Sequence, residues 1–401
     1  MKKRFDYISS YKIDKCVFGK RFIIVTYKFH ISAGDFLVPY LVKHSASVVY
    51  VIHSFADRKD RRSYCLTYEY RSGEKMVYSK DYRKLPETLV LLKNVLFTVY
   101  SILISRKTYD VCITLSGPET LACIFLKKLG FIVKVIYWST DFVPNDRFEA
   151  GWKNAIYHKV NKLSVLWSDH AWDLSPRIAE GRSKIFGWAP EEIRKSKVVP
   201  MGVQSIQRGL VPFEKIDRYR LVFLGHLLEK QGVQLVIDSI PKIIEKIPAF
   251  NFLVIGTGPY ENELKCKASK LGIDDHITFT GFIESHSDVD RLLSECACAV
   301  APYDIRKDTW TYWADPGKIK SYFAASLPVI LTNVSYNAPE IERRRCGIII
   351  NYDVDELVRV VLKLMTDRKL LEEYRLNSYE YSKTFDWNNI FNKAFEDVFR
   401  K

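Results

Sequence analysis

Two hydrophobic rhythms alternate along the chain. Short, nearly unbroken apolar runs stand at 21–29 (RFIIVTYKF), 48–55 (VVYVIHSF), 132–138, 220–224, 250–255, 277–281 and 328–331. Runs of this length, closed by Gly, Pro or Asp, predict strands buried on both faces. Between them lie longer stretches with apolar residues three and four apart, the pattern of a helix with one buried face. The clearest is the last, 384–401, where positions 387, 390, 391, 394, 395, 398 and 399 are apolar. Strand, turn, helix and strand in succession predict an α/β fold, with a doubly wound sheet beginning in the first residues. ISAGD places Gly34 in the first turn, ahead of a helix that runs to about Lys43.

One helical stretch departs from this pattern. LPETLVLLKNVLFTVYSILISRK (85–107) is apolar almost throughout, interrupted by Lys93 and Asn94 and ended by Arg106 and Lys107. It reads either as a helix buried against a sheet, which doubly wound folds need, or as one lying in a membrane interface. The burial reading is favoured.

Composition sharpens the picture in three places. A chain of 401 residues has room for two or three domains. Its charge is lopsided: residues 1–205 hold 34 Lys and Arg against 19 Asp and Glu, a net +15, whereas 206–401 are at −1. That asymmetry predicts an anionic partner for the first half, such as lipid headgroups, a lipid-diphosphate acceptor or nucleic acid. RKDRRSY (58–64) is the densest basic cluster and reads as a solvated loop or a contact for lipid phosphates. The eight cysteines form no CxxC pair and lie mostly in apolar runs, which predicts a reducing compartment. The basic N-terminus lacks the apolar core of a signal peptide, and no run of 18 apolar residues predicts a membrane span.

The chemistry concentrates in WADPGKIKSYFAASLPVI (313–330). Asp315-Pro316-Gly317 opens a short helix, with Asp as the cap and Pro at the first helical position. Pro328 ends it, and a buried strand follows. A helix N-terminus offers free N–H groups to an anion, and Lys318 adds a full charge in the first turn. That combination suits a diphosphate. The pattern of acid, Pro, Lys, Tyr, Ala-Ala and Pro-Val-Ile resembles the nucleotide-sugar segment of GT-B glycosyltransferases, especially family four and its relatives. The resemblance covers about 221–400 and, more weakly, 1–205.

It implies two doubly wound Rossmann-like domains facing a central cleft. An acceptor domain would span 1–205 and a donor domain 206–383, with a linker at about 204–219 and the helix at 384–401 crossing back to the first domain. Donor contacts fall by resemblance on Gly225, His226, Lys230 and Gln231, on Gly256 and Gly258, on Phe282 and Ile283, on Tyr303, and on Asp315, Gly317, Ser321 and Tyr322. Lys318 would stabilise the leaving diphosphate. Gly34, Asp141 and Arg147 would face the acceptor. Asp141, at a strand end, is read either as a general base or as the cap of the next turn. The aromatic-rich stretch 145–187 suits a sugar or lipid-linked acceptor.

The sequence departs from the family at several of these positions. Trp313 and Ser321 stand where paired glutamates are expected, and a serine hydroxyl cannot accept from two ribose hydroxyls as a carboxylate does. His226 replaces an arginine. Lys230 falls one position early, with Gln231 in the lysine's slot. Asp288-Val289-Asp290 mimics a metal-binding DxD but reads as a helix start.

The expected activity is transfer of a sugar from a nucleoside-diphosphate sugar to a hydroxyl acceptor, in cell-surface polysaccharide or glycolipid synthesis. No metal and no cofactor beyond that co-substrate is expected. The expected acceptor is a saccharide or lipid-linked saccharide, and the expected location is the cytoplasm, peripheral on the inner face of the membrane. The alternatives are a non-catalytic basic nucleotide- or polyanion-binding protein and a sugar-nucleotide epimerase. Nucleic acid is disfavoured, because no recognised module for it is present.

Overall fold

The computed structural model describes residues 16–27, 33–55, 62–69, 73–78, 86–140, 142–144, 147–203, 211–307 and 310–400. Asp141, most of the basic cluster at 58–64 and the start of the expected linker lie outside the described residues. The chain divides into two compact units. The first holds residues 1–174, 179–199 and 391–401, and the second holds 175–178 and 200–390.

The first unit opens with β1 (Arg21–Tyr27), α1 (Ala33–His44), β2 (Ser47–His53), β3 (Tyr64–Glu69) and β4 (Gly73–Tyr78). It continues with α2 (Glu87–Ile104), β5 (Tyr109–Thr114), α3 (Gly117–Lys128), β6 (Ile132–Ser139) and α4 (Gly151–Trp167). Then come β7 (His170–Asp173), α5 (Pro176–Phe186), α6 (Pro190–Ile193) and β8 (Ser196–Val198). The sheet order is β4-β3-β2-β1-β5-β6-β7-β8. Five neighbouring pairs from β2 to β8 are parallel, whereas β2-β3 and β3-β4 pair antiparallel. The antiparallel hairpin was not foreseen. Gly34 also departs from expectation: it is the second residue of α1 and buried, so it lies in the helix and not in a turn.

The second unit runs β9 (Asp217–Leu224), α7 (Val233–Ile244), β10 (Asn251–Ile255), α8 (Glu261–Lys270), β11 (Ile277–Gly281), α9 (His286–Ser294) and β12 (Cys296–Ala301). It continues with α10 (Trp310–Trp313), α11 (Gly317–Ala324), β13 (Val329–Thr332), α12 (Ala338–Arg343) and β14 (Gly347–Ile350). Three helices close the chain: α13 (Val354–Thr366), α14 (Arg368–Ser382) and α15 (Trp387–Phe399). The sheet is parallel throughout, in the order β11-β10-β9-β12-β13-β14. Both units are therefore doubly wound.

Continuous apolar runs explain the central strands, which are buried on both faces. β12 is buried at all six positions, Cys296 and Cys298 included. The two faces of the second sheet carry separate cores: Val236, Ile240 and Val361 lie in one, and Ile319, Phe323 and Ile341 in the other. In the first unit, Phe391 and Phe395 of α15 pack edge-on or tilted against Phe22, Tyr40, Trp138 and Trp172, with ring centroids 5.2–6.2 Å apart.

Loops at the carboxyl ends of β9, β10 and β11 lock together through their backbones. Gly225 N–H donates to Ile255 O at 2.9 Å, Leu227 N–H to Thr257 O at 2.9 Å, and Gly256 N–H to Gly281 O at 3.0 Å. Gly256 has φ +133°, and a Cβ on it would sit 2.0 Å from Gly225 O. Gly256→Ala is expected to cost more than ~3 kcal/mol, because strain and a backbone clash add. Gly272 is the control: φ is +66° but nothing lies within 4 Å of its Cβ position, so alanine there costs about 1 kcal/mol. Urea unfolding of the two variants checks the difference.

Candidate functional site

In an open α/β sheet, ligands bind beyond the carboxyl ends of the strands, where the strand order reverses. In the second unit that point lies between β9 and β12. The loop after β9, the loop after β12 and the start of α11 meet there. Tyr322, on α11, spans the divergence. Its hydroxyl accepts the Leu224 N–H at 2.8 Å and donates to Val300 O at 3.3 Å, tying β9 to β12.

Lys318 lies in the first turn of α11. Its ammonium donates to Gln231 Oε1 at 2.6 Å and stands over the rings of Phe223 and Tyr303, 4.3 and 4.6 Å from their centroids. A Cβ on Gly225 would lie 3.6 Å from that nitrogen. Gly225, Gln231, Tyr303 and Lys318 are thus brought together. Among the described residues no carboxylate pairs with Lys318. Burial pushes its pKa down to about 7, because a desolvated ammonium is costly without an opposite charge. Phe223 was missed by the sequence reading; an aromatic two residues before the Gly225 turn was its one signal.

Several expected donor contacts point elsewhere. Tyr322 is fully buried and its hydroxyl is taken up by backbone, so it is a strut between strands and not a ligand contact. Desolvation raises its pKa. Asp315 does not cap α11; the N-cap is Pro316. Its buried carboxylate pairs with the fully buried Lys320 and accepts the Met201 N–H at 2.7 Å. Lys320 was missed, although it falls on the same helical face as Phe323. Gly256 and Gly258 pack closely against the loop after β9. Their missing Cβ positions are filled by backbone, with Leu227 O 2.2 Å from that of Gly258.

The remaining donor candidates are dispersed. Lys230 sits with its ammonium over Trp310, 5.4 Å from the ring centroid, while its carbonyl accepts the Asp304 N–H. The neighbouring Gln231, not Lys230, reaches Lys318. His226 is exposed, and Ser321 is half-buried with its hydroxyl 3.5 Å from Gly317 O in its own helix. Gly317 lies near Met201. Phe282 is 63% exposed beyond β11, and Ile283 packs on the core. Asp288-Val289-Asp290 lies in α9, where Ser285 caps by accepting the Asp288 N–H.

The first unit fills its own crossing point, between β1 and β5, with side chains. Tyr27 donates to the buried Glu119 at 2.8 Å, and Ser116 donates to the same carboxylate. Asn94 lies 3.5 Å from the Tyr27 hydroxyl and accepts from Ser63 at 3.1 Å. His53 meets Ser63 at 2.9 Å and Thr98 at 2.8 Å through its two ring nitrogens. Burial raises the pKa of Glu119 and lowers that of His53 to about 3, so the ring is neutral at physiological pH. No sequence signal marked this network beyond polar residues in apolar segments. Arg147 lies apart from it, stacked on Tyr157 at 5.2 Å with its N–H on Asn154 Oδ1. Tyr157, His158 and Phe186, from the aromatic-rich region, line a small concavity with Asn161, Arg182 and Trp188.

Comparison with known proteins places this geometry. Residues 218–367 match the family model described as glycosyl transferases group 1. The GDP-mannose-dependent alpha-(1-6)-phosphatidylinositol monomannoside mannosyltransferase of Mycobacterium tuberculosis is 27% identical over 160 residues, 38% of this chain and 40% of that protein. The putative colanic acid biosynthesis glycosyltransferase WcaL of Salmonella typhimurium is 27% identical over 245 residues, 58% of this chain and 55% of that protein. The chain thus spans about half or less of the length of these relatives. Among solved structures, Anabaena Alr3699/HepE in complex with UDP superposes with a TM-score of 0.63 at 13% identity, covering 94% of this chain and 99% of the other. WaaG, a glycosyltransferase involved in lipopolysaccharide biosynthesis, gives 0.63 at 15% identity, covering 95% and 100%. The fold is that of the GT-B glycosyltransferases.

The buried Asp315–Lys320 pair carries its own prediction. Lys320→Met alone should destabilise by about 3–5 kcal/mol, since it strands a carboxylate in the core. The double variant Asp315→Leu/Lys320→Met should recover most of that loss. Chemical denaturation of both variants distinguishes a structural pair from two independent ligand contacts.

Proposed function

With residues 218–367 a glycosyl transferases group 1 domain, we propose that the chain transfers a sugar from a nucleoside-diphosphate sugar to a hydroxyl acceptor. The observation that carries this reading is the ammonium of Lys318, held at the β9–β12 crossing point with a carboxamide and two aromatic faces for company. An anion arriving there would supply the missing opposite charge, and the start of α11 would add N–H donors. As the sugar departs, negative charge grows on the diphosphate, and a positioned cation is the largest single aid to that step. Ser321 offers the donor ribose one hydroxyl in place of a carboxylate. Phe282, exposed beyond β11, offers a ring face for the base.

The acceptor in this reading is a saccharide or lipid-linked saccharide, and Asp141, two residues beyond β6, is the candidate general base. The relatives point the same way: one is a phosphatidylinositol monomannoside mannosyltransferase, and others are named for colanic acid and lipopolysaccharide biosynthesis. The positive excess of residues 1–205 supports work at an anionic membrane surface, on the cytoplasmic side. Among the described residues no helix is long and apolar enough to cross a membrane. The absence of the paired glutamates favours a second reading, a nucleotide-binding protein without catalysis.

Lys318→Ala separates the two readings. In the transferase it should lower turnover by about 100-fold or more; wild-type turnover in that variant overturns the role of Lys318. Nucleotide binding with no sugar transfer to any acceptor supports the binding protein. pH gives an independent check. With its pKa lowered to about 7, Lys318 is charged below that pH and neutral above it. Binding of UDP or GDP should therefore weaken about tenfold between pH 6 and pH 8. The dependence should vanish in Lys318→Ala.

A further inference from the structure

Helix α2 is inside out. A surface helix normally turns its apolar stripe to the core and its polar side to water. On α2 the buried side carries Asn94, Thr98 and Ser101 along with Val90, Phe97 and Ile102. Asn94 donates to Ser54 O at 3.4 Å, Thr98 meets His53 at 2.8 Å, and Ser101 donates to Phe97 O at 2.7 Å. The side facing out carries Leu89, Leu91, Leu92, Leu96, Tyr100, Leu103 and Ile104, each at least 40% exposed. Five of these, at 89, 92, 96, 100 and 103, follow the three-and-four spacing of a single helical stripe.

The exposed apolar residues continue on the neighbouring helices. α3 packs beside α2, and α4 beside α3. Phe125 of α3 and Leu129, just past its end, are exposed, as are Trp152, Ile156 and Trp167 of α4. A displayed apolar surface of this kind marks an interaction site.

Charge selects the occupant. No acidic residue occurs between Glu87 and Asp110, while Lys93, Arg106 and Lys107 do. Arg106 at the end of α2, Lys128 at the end of α3 and Lys159 on α4 are exposed. Two copies of a half-chain at +15 repel each other, whereas an anionic bilayer attracts it. Tyr100, Trp152 and Trp167 among these exposed residues are of the types favoured at a lipid–water boundary. The polar contacts of Asn94 and Thr98 fix the inner side of α2 to the sheet, so only the outer side is available to lipid.

We propose that the outer face of α2, extended by α3 and α4, docks on an anionic lipid surface by inserting its leucines among the acyl chains while the basic residues meet the headgroups. This rests on the reading above, in which the acceptor is carried by the membrane, and it assigns the residues that hold the enzyme there. Apolar insertion and basic contacts together give an attachment that neither gives alone.

The test is co-sedimentation of the full chain with vesicles of phosphatidylglycerol and phosphatidylcholine, against pure phosphatidylcholine. Wild type should bind the anionic vesicles at low salt, and 1 M salt should remove most of it. Leu92→Glu/Leu96→Glu should lower binding at least tenfold with an unchanged melting curve. The milder Leu92→Gln/Leu96→Gln guards against misfolding and should lower binding in the same direction. Wild type that ignores anionic vesicles, or variants that bind as wild type does, overturn the proposal. A dimer in light scattering that the same substitutions dissociate would overturn it in favour of a second copy. UDP and GDP thermal shifts on the same samples keep the two readings apart. Nucleotide binding without vesicle binding sinks only the docking surface, and vesicle binding without nucleotide binding sinks only the transferase.

Discussion

The second unit depends on placing one desolvated ammonium where two strands part. A lysine there is unfavourable unless its surroundings are fixed, because the charge has lost water and gained only a carboxamide and two aromatic faces. Three features fix them. Tyr322 ties β9 to β12, so the crevice keeps its width. The Asp315–Lys320 pair anchors the start of α11 to Met201, which sets where Lys318 begins. The glycines after β9 and β10 let the loops hydrogen-bond edge to edge beneath it. Each is a structural device whose product is the position of a single nitrogen.

The two units use one architecture for different ends. In the second, the crossing point holds a cation beside a carboxamide, two aromatic faces and glycine backbone. In the first, the equivalent point is filled by Tyr27, Glu119 and Asn94, and the network continues to His53. Burial raises the pKa of Glu119 and lowers that of His53 to about 3, so the histidine is neutral in that polar interior. The same network reaches α2 through Asn94 and Thr98, which lets that helix turn its leucines outward. Polar residues inside and apolar residues outside are thus two sides of one arrangement.

Much of the fold was legible because parallel strands buried on both faces read as continuous apolar runs, and those at 220–224, 250–255 and 277–281 stand where expected. The hairpin of β3 and β4 was not legible. Its residues, YCLTYE and GEKMVY, alternate polar and apolar too weakly to stand out beside a basic cluster. Lys318 was legible from its place after Pro-Gly at a helix start. Its neighbours were harder, because an acid or tyrosine beside a motif looks the same whether it faces ligand or core. Periodicity could have decided two of them: Lys320 shares its face with Phe323, and Tyr322 with Ile319. α2 misled in the opposite way. Its apolar content suggested a helix buried against the sheet, and one side is buried, but that side is the more polar.

The central claim, that Lys318 receives a diphosphate, is tested most directly by counting protons. Titration calorimetry of UDP and GDP into the full chain at pH 8, in buffers of differing ionisation enthalpy, measures protons taken up on binding. Free Lys318 is then mostly neutral, and a diphosphate beside it restores the charge. The account predicts uptake approaching one proton per nucleotide, and none in Lys318→Ala. Binding with no dependence on buffer in the wild type would contradict it.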